Sequence, residues 1–424
     1  MIRRCLGVLL TALVAGTVGG AVGGTAPEEA LATAGGGGSP AATGPAAKAT
    51  SPEIEARSWT LIDARTGRVL ASHAAQMRLP IASTTKLMTA YVAMREMPLE
   101  KTVRAAPYDA IYGESLLNLR TGEEVSVRDL IYGLILRSGN DAAYDLARAA
   151  SGSQEAFVRE MNSRASALGL SDTHYANPIG LDEAGNYSSA ADLATLTARM
   201  LRDPAFARIA AAEEARLESL DPPRRITTIN ELLHLEPWVT GVKTGHTFDA
   251  GYVLVGSGRR KGVELISVVI GAPTPEARDG ETLELLESGF DQYRKRVPVH
   301  AGEEIAAPSI RYAGGSLPLR AARTVAAGTY RGQRLDVEVE APAEVEGPIK
   351  RGAVLGRVTI LVDGRLAGAT ALRAGRTIPE ANLFDRVRSF VSDHTILTAI
   401  ALFVILIGAA FLWRAVRRRR PRGD

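Results

Sequence analysis

A chain of 424 residues leaves room for two folded domains. Hydrophobic content of 46% and charged content of 23% are those of an ordinary globular protein. The net charge of +3 gathers largely in Arg417 to Arg420, with Arg414 and Arg422 beside them; the rest is close to neutral, which excludes a nucleic-acid-binding surface and predicts no nucleic-acid partner.

In chain order, residues 1–34 read as an export signal. Arg3 and Arg4 precede the apolar, small-residue stretch "CLGVLLTALVAGTVGGAVGG", and Ala30-Leu31-Ala32 and Ala32-Thr33-Ala34 are candidate cleavage sites. The alternative is an N-terminal anchor; the glycines and the early end of the apolar run suit a signal better. Cys5, the one cysteine, heads this segment outside any lipobox-like setting, so the exported body is expected to have neither disulfide nor thiol chemistry. Residues 35–54 are a Gly/Ala/Pro-rich linker.

A catalytic domain is expected over 55–298. "SWTLIDARTGRVLASH" is a hairpin of two alternating runs around Arg65-Thr66-Gly67. Pro80 precedes a helical run, and a long helical region follows, interrupted at "RTGEEVS". "VRDLIYGLILRSGNDAAYDLARAA" is helical at both ends with a Gly-Asn break, and "SQEAFVREMNSRASALGL" is a helix ending near Gly169. "SAADLATLTARMLRDPAFARIA" is helical up to Asp203-Pro204. Strands return at "GVKTG", "AGYVLVGSG" and "GVELISVVIGA", the last two joined by a turn at Arg259 to Gly262, and "ETLELLESGFDQYRKR" closes the region as an amphipathic helix. Strands at both ends with helices between predict an α+β fold whose antiparallel sheet is built from chain-terminal hairpins.

Residues 299–380 carry short alternating runs and an Asp363-Gly364 hairpin turn, the pattern of a small β-rich domain. Residues 381–395 are a helical stalk. Residues 396–413 carry no charge and span roughly 27 Å as a helix, close to a bilayer core. Trp413 takes an interface position, and the positive-inside rule makes the basic tail 414–424 cytoplasmic and everything before the span extracytoplasmic. A buried soluble helix is the competing reading, which the arginine block opposes.

Chemistry concentrates at three short strings. Ser83 and Lys86 stand one turn apart at a helix start, either as an N-cap and a solvated charge or as a nucleophile and its base. A lysine base must be neutral, which burial and a nearby cation promote. Lys243, in Lys243-Thr244-Gly245 at a strand end, is a candidate second cation. The hydroxyls of Ser138 and Thr244 are candidates to pass a proton to a leaving amine, and Asn140 to hold Lys86 and bind a substrate amide. The backbone N–H after Gly245 and that of Ser83 are a candidate oxyanion hole.

S-x-x-K, S-x-N and K-T-G in this order resemble the signature of penicillin-recognising serine enzymes. "KTGHTFDAG", "RSGNDAA" and "NPIGLDEAGNYSSAADLA" resemble the D-alanyl-D-alanine carboxypeptidases among the low-molecular-weight penicillin-binding proteins, and "GAVLGRVTILVDG" and "IPEANLFDRV" resemble that family's β-rich second domain. The likeness runs from about Trp59 to Val391. It implies a serine β-lactamase/DD-peptidase-like fold and an enzyme that removes the terminal D-Ala from peptidoglycan stem peptides and is inhibited by β-lactams. It further implies Ser83 as acylated nucleophile, Lys86 as proton acceptor, Ser138 and Asn140 in the proton and substrate network, Lys243, Thr244 and Gly245 in substrate binding, and the His246 N–H in the oxyanion hole. Arg278 falls where the family places an arginine near the substrate carboxylate.

A class A β-lactamase is the close rival, but its E-x-x-L-N glutamate lies between the second and third strings. Here Glu114 to Asn118 match that pattern ahead of Ser138, so the match is read as chance. A DD-endopeptidase and a non-catalytic wall- or β-lactam-binding protein remain as further alternatives. Six scattered histidines without H-E-x-x-H predict no metal, and no P-loop or other cofactor motif is present.

Overall fold

The computed structural model describes residues 54–418. The expected signal, all of the linker but Ile54, and the tail beyond residue 418 lie outside the described residues.

The first two strands, β1 (Ser58–Asp63) and β2 (Val69–His73), form the expected hairpin. Helices follow: α1 (Lys86–Glu96), α2 (Val127–Leu136), α3 (Asn140–Ser151), α4 (Gln154–Ala167), α5 (Ala190–Met200) and α6 (Pro204–Ala210). Their starts obey local chemistry. Ser126, Ser153, Ser189 and Asp203 each accept a hydrogen bond from a first-turn backbone N–H, and Pro204 occupies the first turn of α6.

Three expectations are corrected. The helical reading beyond Glu96 fails: residues 102–104 and 124–126 pair as short strands β3 (Thr102–Arg104) and β4 (Glu124–Ser126), with an irregular segment between them. The chain does not leave helix for good at Asp203-Pro204; a new helix starts on that proline. A further hairpin, β5 (Glu214–Leu217) with β6 (Arg224–Thr227), and the short helix α7 (Leu232–Leu235) come before the sheet resumes.

The strands β7 (Val239–Thr247), β8 (Gly251–Arg260) and β9 (Val263–Ala272) complete an antiparallel sheet in the order β2-β1-β9-β8-β7. Period-two alternation divides its faces. Val253, Val255, Val268 and Ile270 join Leu87, Leu130 and Leu146 in one core on the α1–α5 side. Leu254, Leu265 and Val269 turn the other way, onto Leu285, Leu286 and Phe290 of α8 (Pro275–Gln292). Glycine is required where α8 approaches closely: a Cβ at Gly289 would stand 2.6 Å from Leu265 and 2.9 Å from Leu61.

A β-rich region follows, from β10 (Arg294–Val299) through β11 (Glu304–Ala306), β12 (Ser309–Ile310), β13 (Leu319–Ala321), β14 (Val325–Thr329), β15 (Leu335–Glu340), β16 (Glu344–Val345) and β17 (Val354–Val362) to β18 (Arg365–Ala374). Its main sheet runs β11-β13-β18-β17-β15, and the expected turn at Asp363-Gly364 joins β17 to β18. Leu319, Val358, Ile360 and Leu372 make its own core. Helix α9 (Leu383–Asp393) opens on a capping box of Asn382 and Asp385 and leads into α10 (Thr395–Arg418). Residues 395–414 are long and apolar enough to cross a membrane, and none of that window is buried in the protein.

The two regions meet through a buried bond. Tyr330 donates its hydroxyl to Asp63 Oδ2 at 2.6 Å, while Asp63 Oδ1 accepts from the Thr66 backbone and hydroxyl, both at 2.8 Å. Replacing Tyr330 by Phe leaves one oxygen of a buried carboxylate without this donor. The expected loss is about 2 kcal/mol of stability, read as a lower denaturant midpoint.

Candidate active site

The site forms where the start of α1, the α2–α3 junction, strand β7 and the loop 176–188 converge. The chain reaches it through a two-way backbone pairing of Leu79 with Ser188. Ala82 then takes a left-handed conformation (φ 48°), and a single 3-10 turn, Ala82–Thr85, carries Ser83 ahead of α1. Ser83 is half-buried, and no side-chain cap hydrogen bond is made at either helix start. Of the two sequence readings, the N-cap is not the one adopted. Instead Lys86 Nζ donates to Ser83 Oγ at 2.9 Å and to the Ile179 carbonyl at 2.5 Å.

Lys86 has no exposed surface. Burial first, and then the nearby Lys243 cation, hold its amine well below the usual lysine range, with Glu114 and Asp141 pulling the other way. Lys243 is equally buried and donates to Ser138 Oγ at 3.0 Å and to the Thr244 carbonyl at 2.7 Å. Burial and then the Arg278 guanidinium bring it down to about 7. The two amines thus each hold one hydroxyl, on facing sides of the pocket.

Ser138 owes its position to backbone conformation. It sits in the middle of the α2–α3 junction with φ 59°, a left-handed value costly for a side chain that bears a Cβ and tolerated where surroundings enforce it. Thr244 is buried in β7, paired opposite Leu254. His246 is exposed, and its ring stacks on Tyr252 with centroids 4.1 Å apart. Arg278 is the fourth residue of α8, in the part of that helix ahead of Glu281 that the sequence reading left outside it, and forks its Nε and Nη2 onto Asp279 at 2.8 and 2.9 Å. Its charge still bears on Lys243.

Two glycines clamp the Ser83 backbone. A Cβ on Gly180 (φ 86°) would fall 2.1 Å from the Ala82 carbonyl oxygen and 3.0 Å from Ser83 N. A Cβ on Gly245 would lie 3.1 Å from Ser83 N, which puts β7 directly against the serine amide. Gly180 is held by an Asx-type turn: Asn177 Oδ1 accepts from Ile179 N and from Gly180 N at 2.6 Å. Asp182 ties the same loop to the β7–β8 turn by accepting from Thr247 Oγ1 at 2.7 Å. Neither Asn177 nor Asp182 was singled out from sequence; the "NPIGLD" string offered the turn signal.

The residue most misjudged from sequence is Glu114. Its match to a lactamase pattern is indeed out of order, yet the fold brings its carboxylate into the site, where Asn140 Nδ2 donates to Oε2 at 2.7 Å. Asn140, buried at the start of α3, therefore has Glu114 as its side-chain partner rather than the expected Lys86. The site stands apart from a cavity of about 1140 Å³ at the junction with the β-rich region, bordered by Asp63, Arg202, Tyr330 and Asp363.

The sequence profile of a family described as D-alanyl-D-alanine carboxypeptidase matches residues 45–274. The chain is 31% identical to the D-alanyl-D-alanine carboxypeptidase DacF of Bacillus subtilis over 351 residues, covering 80% of this chain and 90% of that protein. It is 34% identical to DacA of Escherichia coli K12 over 359 residues, covering 80% and 88%. Among solved structures it resembles penicillin binding protein 6B from Escherichia coli (TM-score 0.58, 29% identity, 76% of this chain and 96% of that one). It also resembles penicillin binding protein 5 from Haemophilus influenzae (TM-score 0.56, 30% identity, 78% and 99%). By sequence and by fold, the chain belongs to the D-alanyl-D-alanine carboxypeptidase family.

Proposed function

We infer that this protein is a serine-type carboxypeptidase that removes the terminal D-Ala from peptidoglycan stem peptides, with Ser83 as nucleophile. The observation that carries the reading is the buried Lys86 amine 2.9 Å from Ser83 Oγ. Ser83 Oγ attacks the penultimate D-Ala carbonyl carbon and its proton passes to neutral Lys86 Nζ. The carbonyl oxygen gains the negative charge and is met by the N–H groups of Ser83 and His246. As the C–N bond breaks, the leaving D-Ala amine takes a proton along the Ser138 side of the pocket, where Lys243 holds the hydroxyl. Water then attacks the Ser83 ester, releases the shortened peptide and restores the serine. Lys243, Thr244 and Arg278 supply the donors and positive charge suited to the substrate's terminal carboxylate. A β-lactam presents an equivalent acyl carbon and a carboxylate, so it acylates the same serine.

Placement follows from the ends of the chain. The helix 395–414 anchors the protein in the cytoplasmic membrane, the arginine-rich tail stays inside, and the catalytic domain works outside, where its substrate lies. The β-rich region and α9 then act as spacer and stalk.

Release of free D-Ala from a D-Ala-D-Ala peptide, rather than cleavage of cross-links or turnover of penicillin, separates this activity from its rivals. Ser83→Ala is expected to abolish both D-Ala release and covalent labelling by penicillin; a variant that still trims the peptide overturns the assignment. Removing the second cation raises the affinity of Lys86 for its proton, so the base form appears only at higher pH. Lys243→Met is accordingly expected to move the acid limb of the penicillin acylation profile upward in pH, measured by stopped acylation across a buffer series. Gly180→Ala forces a Cβ into the Ala82 carbonyl and disfavours the required φ. Its acylation rate is expected to fall by about 100-fold or more, as displaced catalytic groups cost, measured on folded protein.

A further inference from the structure

The segment between β3 and β4 is irregular but not loosely attached. Ala106 N donates to Asp145 at 3.0 Å, Leu117 N and Leu119 N donate to the two oxygens of Asp141 at 2.8 and 3.0 Å, and Asn140 N donates to the Ser115 carbonyl at 2.8 Å. Asn140, Asp141 and Asp145, on the first two turns of α3, thus strap this segment to that helix. Within it, Glu114 is fully engaged. Its Oε1 accepts from the Ile111 N–H at 3.1 Å, and its Oε2 accepts from both the Tyr108 hydroxyl at 2.5 Å and Asn140 Nδ2 at 2.7 Å. Tyr108 is itself braced against the Tyr144 ring of α3, with centroids 5.4 Å apart.

The chemistry of the pair is directional. A carboxylate accepts hydrogen bonds and donates none, so only the nitrogen end of the Asn140 carboxamide can face Glu114. That choice fixes the opposite end: the Asn140 oxygen is turned away from Glu114, and the second N–H of the amide is left for another acceptor. An asparagine without such a partner is free to flip its nitrogen and oxygen, and in half of its orientations it would present the wrong group to a substrate carbonyl.

The geometry points to Glu114 as a positioning residue for acyl transfer: held by Tyr108 and the Ile111 N–H, its carboxylate sets the orientation in which Asn140 offers an N–H to the substrate's amide carbonyl. This rests on the reading of Ser83 and Asn140 given above. Glu114 touches no reacting atom and acts through Asn140. It also contributes a fixed negative charge. Its hydrogen bonds hold its carboxyl below the usual range against the pull of burial, and burial with the Glu114 bond keeps the Tyr108 phenol protonated. Lys86 is faced by Lys243 from β7, by Asp141 from α3 and by Glu114 from this segment, and the two carboxylates oppose the effect of Lys243.

The test uses the full-length protein in detergent, with penicillin titration to count folded sites. Wild type and Ser83→Ala establish D-Ala release and its dependence on the nucleophile, so a failure of the underlying assignment appears there and not in the Glu114 series. Glu114→Ala is expected to lower kcat/KM for a D-Ala-D-Ala peptide by about tenfold or more, the scale of a lost charge-assisted hydrogen bond. Because Glu114 acts through Asn140, the double variant Glu114→Ala/Asn140→Ala should be no worse than Asn140→Ala alone. Glu114→Gln keeps the side-chain shape and removes the charge, so the acid limb of kcat/KM should move to lower pH. Tyr108→Phe provides a milder variant should Glu114→Ala fold poorly, and it should lower kcat/KM in the same direction. Losses that multiply in the double variant, or a Glu114→Gln protein that loses thermal stability with its pH limb unmoved, would overturn the proposal.

Discussion

An amine with no access to water, one hydrogen bond from a hydroxyl, is the constraint around which the rest is arranged. A lysine in solvent is a cation and cannot take a proton from serine. The Lys86 amine is drawn toward its neutral form because α1 begins inside the protein, where the side chain is fully buried and donates to the Ile179 carbonyl of the loop 176–188. Burial alone would leave the amine free to swing; the Ile179 carbonyl fixes its direction and Ser83 occupies the remaining side. Lys243 then adds repulsion from a third element. Each contribution comes from a different stretch of chain, so the chemistry exists only once the sheet and the helical layer have closed on each other.

Much of this was legible from local text, and the reason is physical. Serine and lysine at three-residue spacing on one helical turn are neighbours whatever the rest of the fold does, and Lys243-Thr244-Gly245 lies on a strand whose alternating pattern with β8 and β9 is hard to misread. The segment after Glu96 reads as helical in the sequence, whereas in the fold Asp141 and Asp145 capture its backbone N–H groups from outside. The β5–β6 hairpin was missed because its strands are short and largely polar. Glu114 could not be placed for a related reason: nothing in an irregular segment fixes where a side chain points until the partners on α3 are known. The side-chain partner expected of Asn140 was Lys86, and the fold supplies Glu114 instead.

The β-rich region shows a division of labour. Its core is separate from that of the catalytic sheet, yet Tyr330 reaches into the first hairpin and Arg68 pairs with Asp363 across the same junction. The capped helix α9 carries Leu383, Phe384, Val387 and Phe390 exposed just before the apolar span. An exposed apolar stripe at that place has the composition of a surface suited to lie against lipid.

The paired glycines at Ser83 limit how such a pocket can change. With backbone atoms pressed on Ser83 from two directions, its main chain has no slack: it cannot shift without disturbing the hydrogen bond from Lys86. The pocket can vary more readily at its outer wall, where the segment carrying Glu114 is tied to α3 by hydrogen bonds. Inhibitors shaped to that wall would distinguish related enzymes that share the same inner machinery.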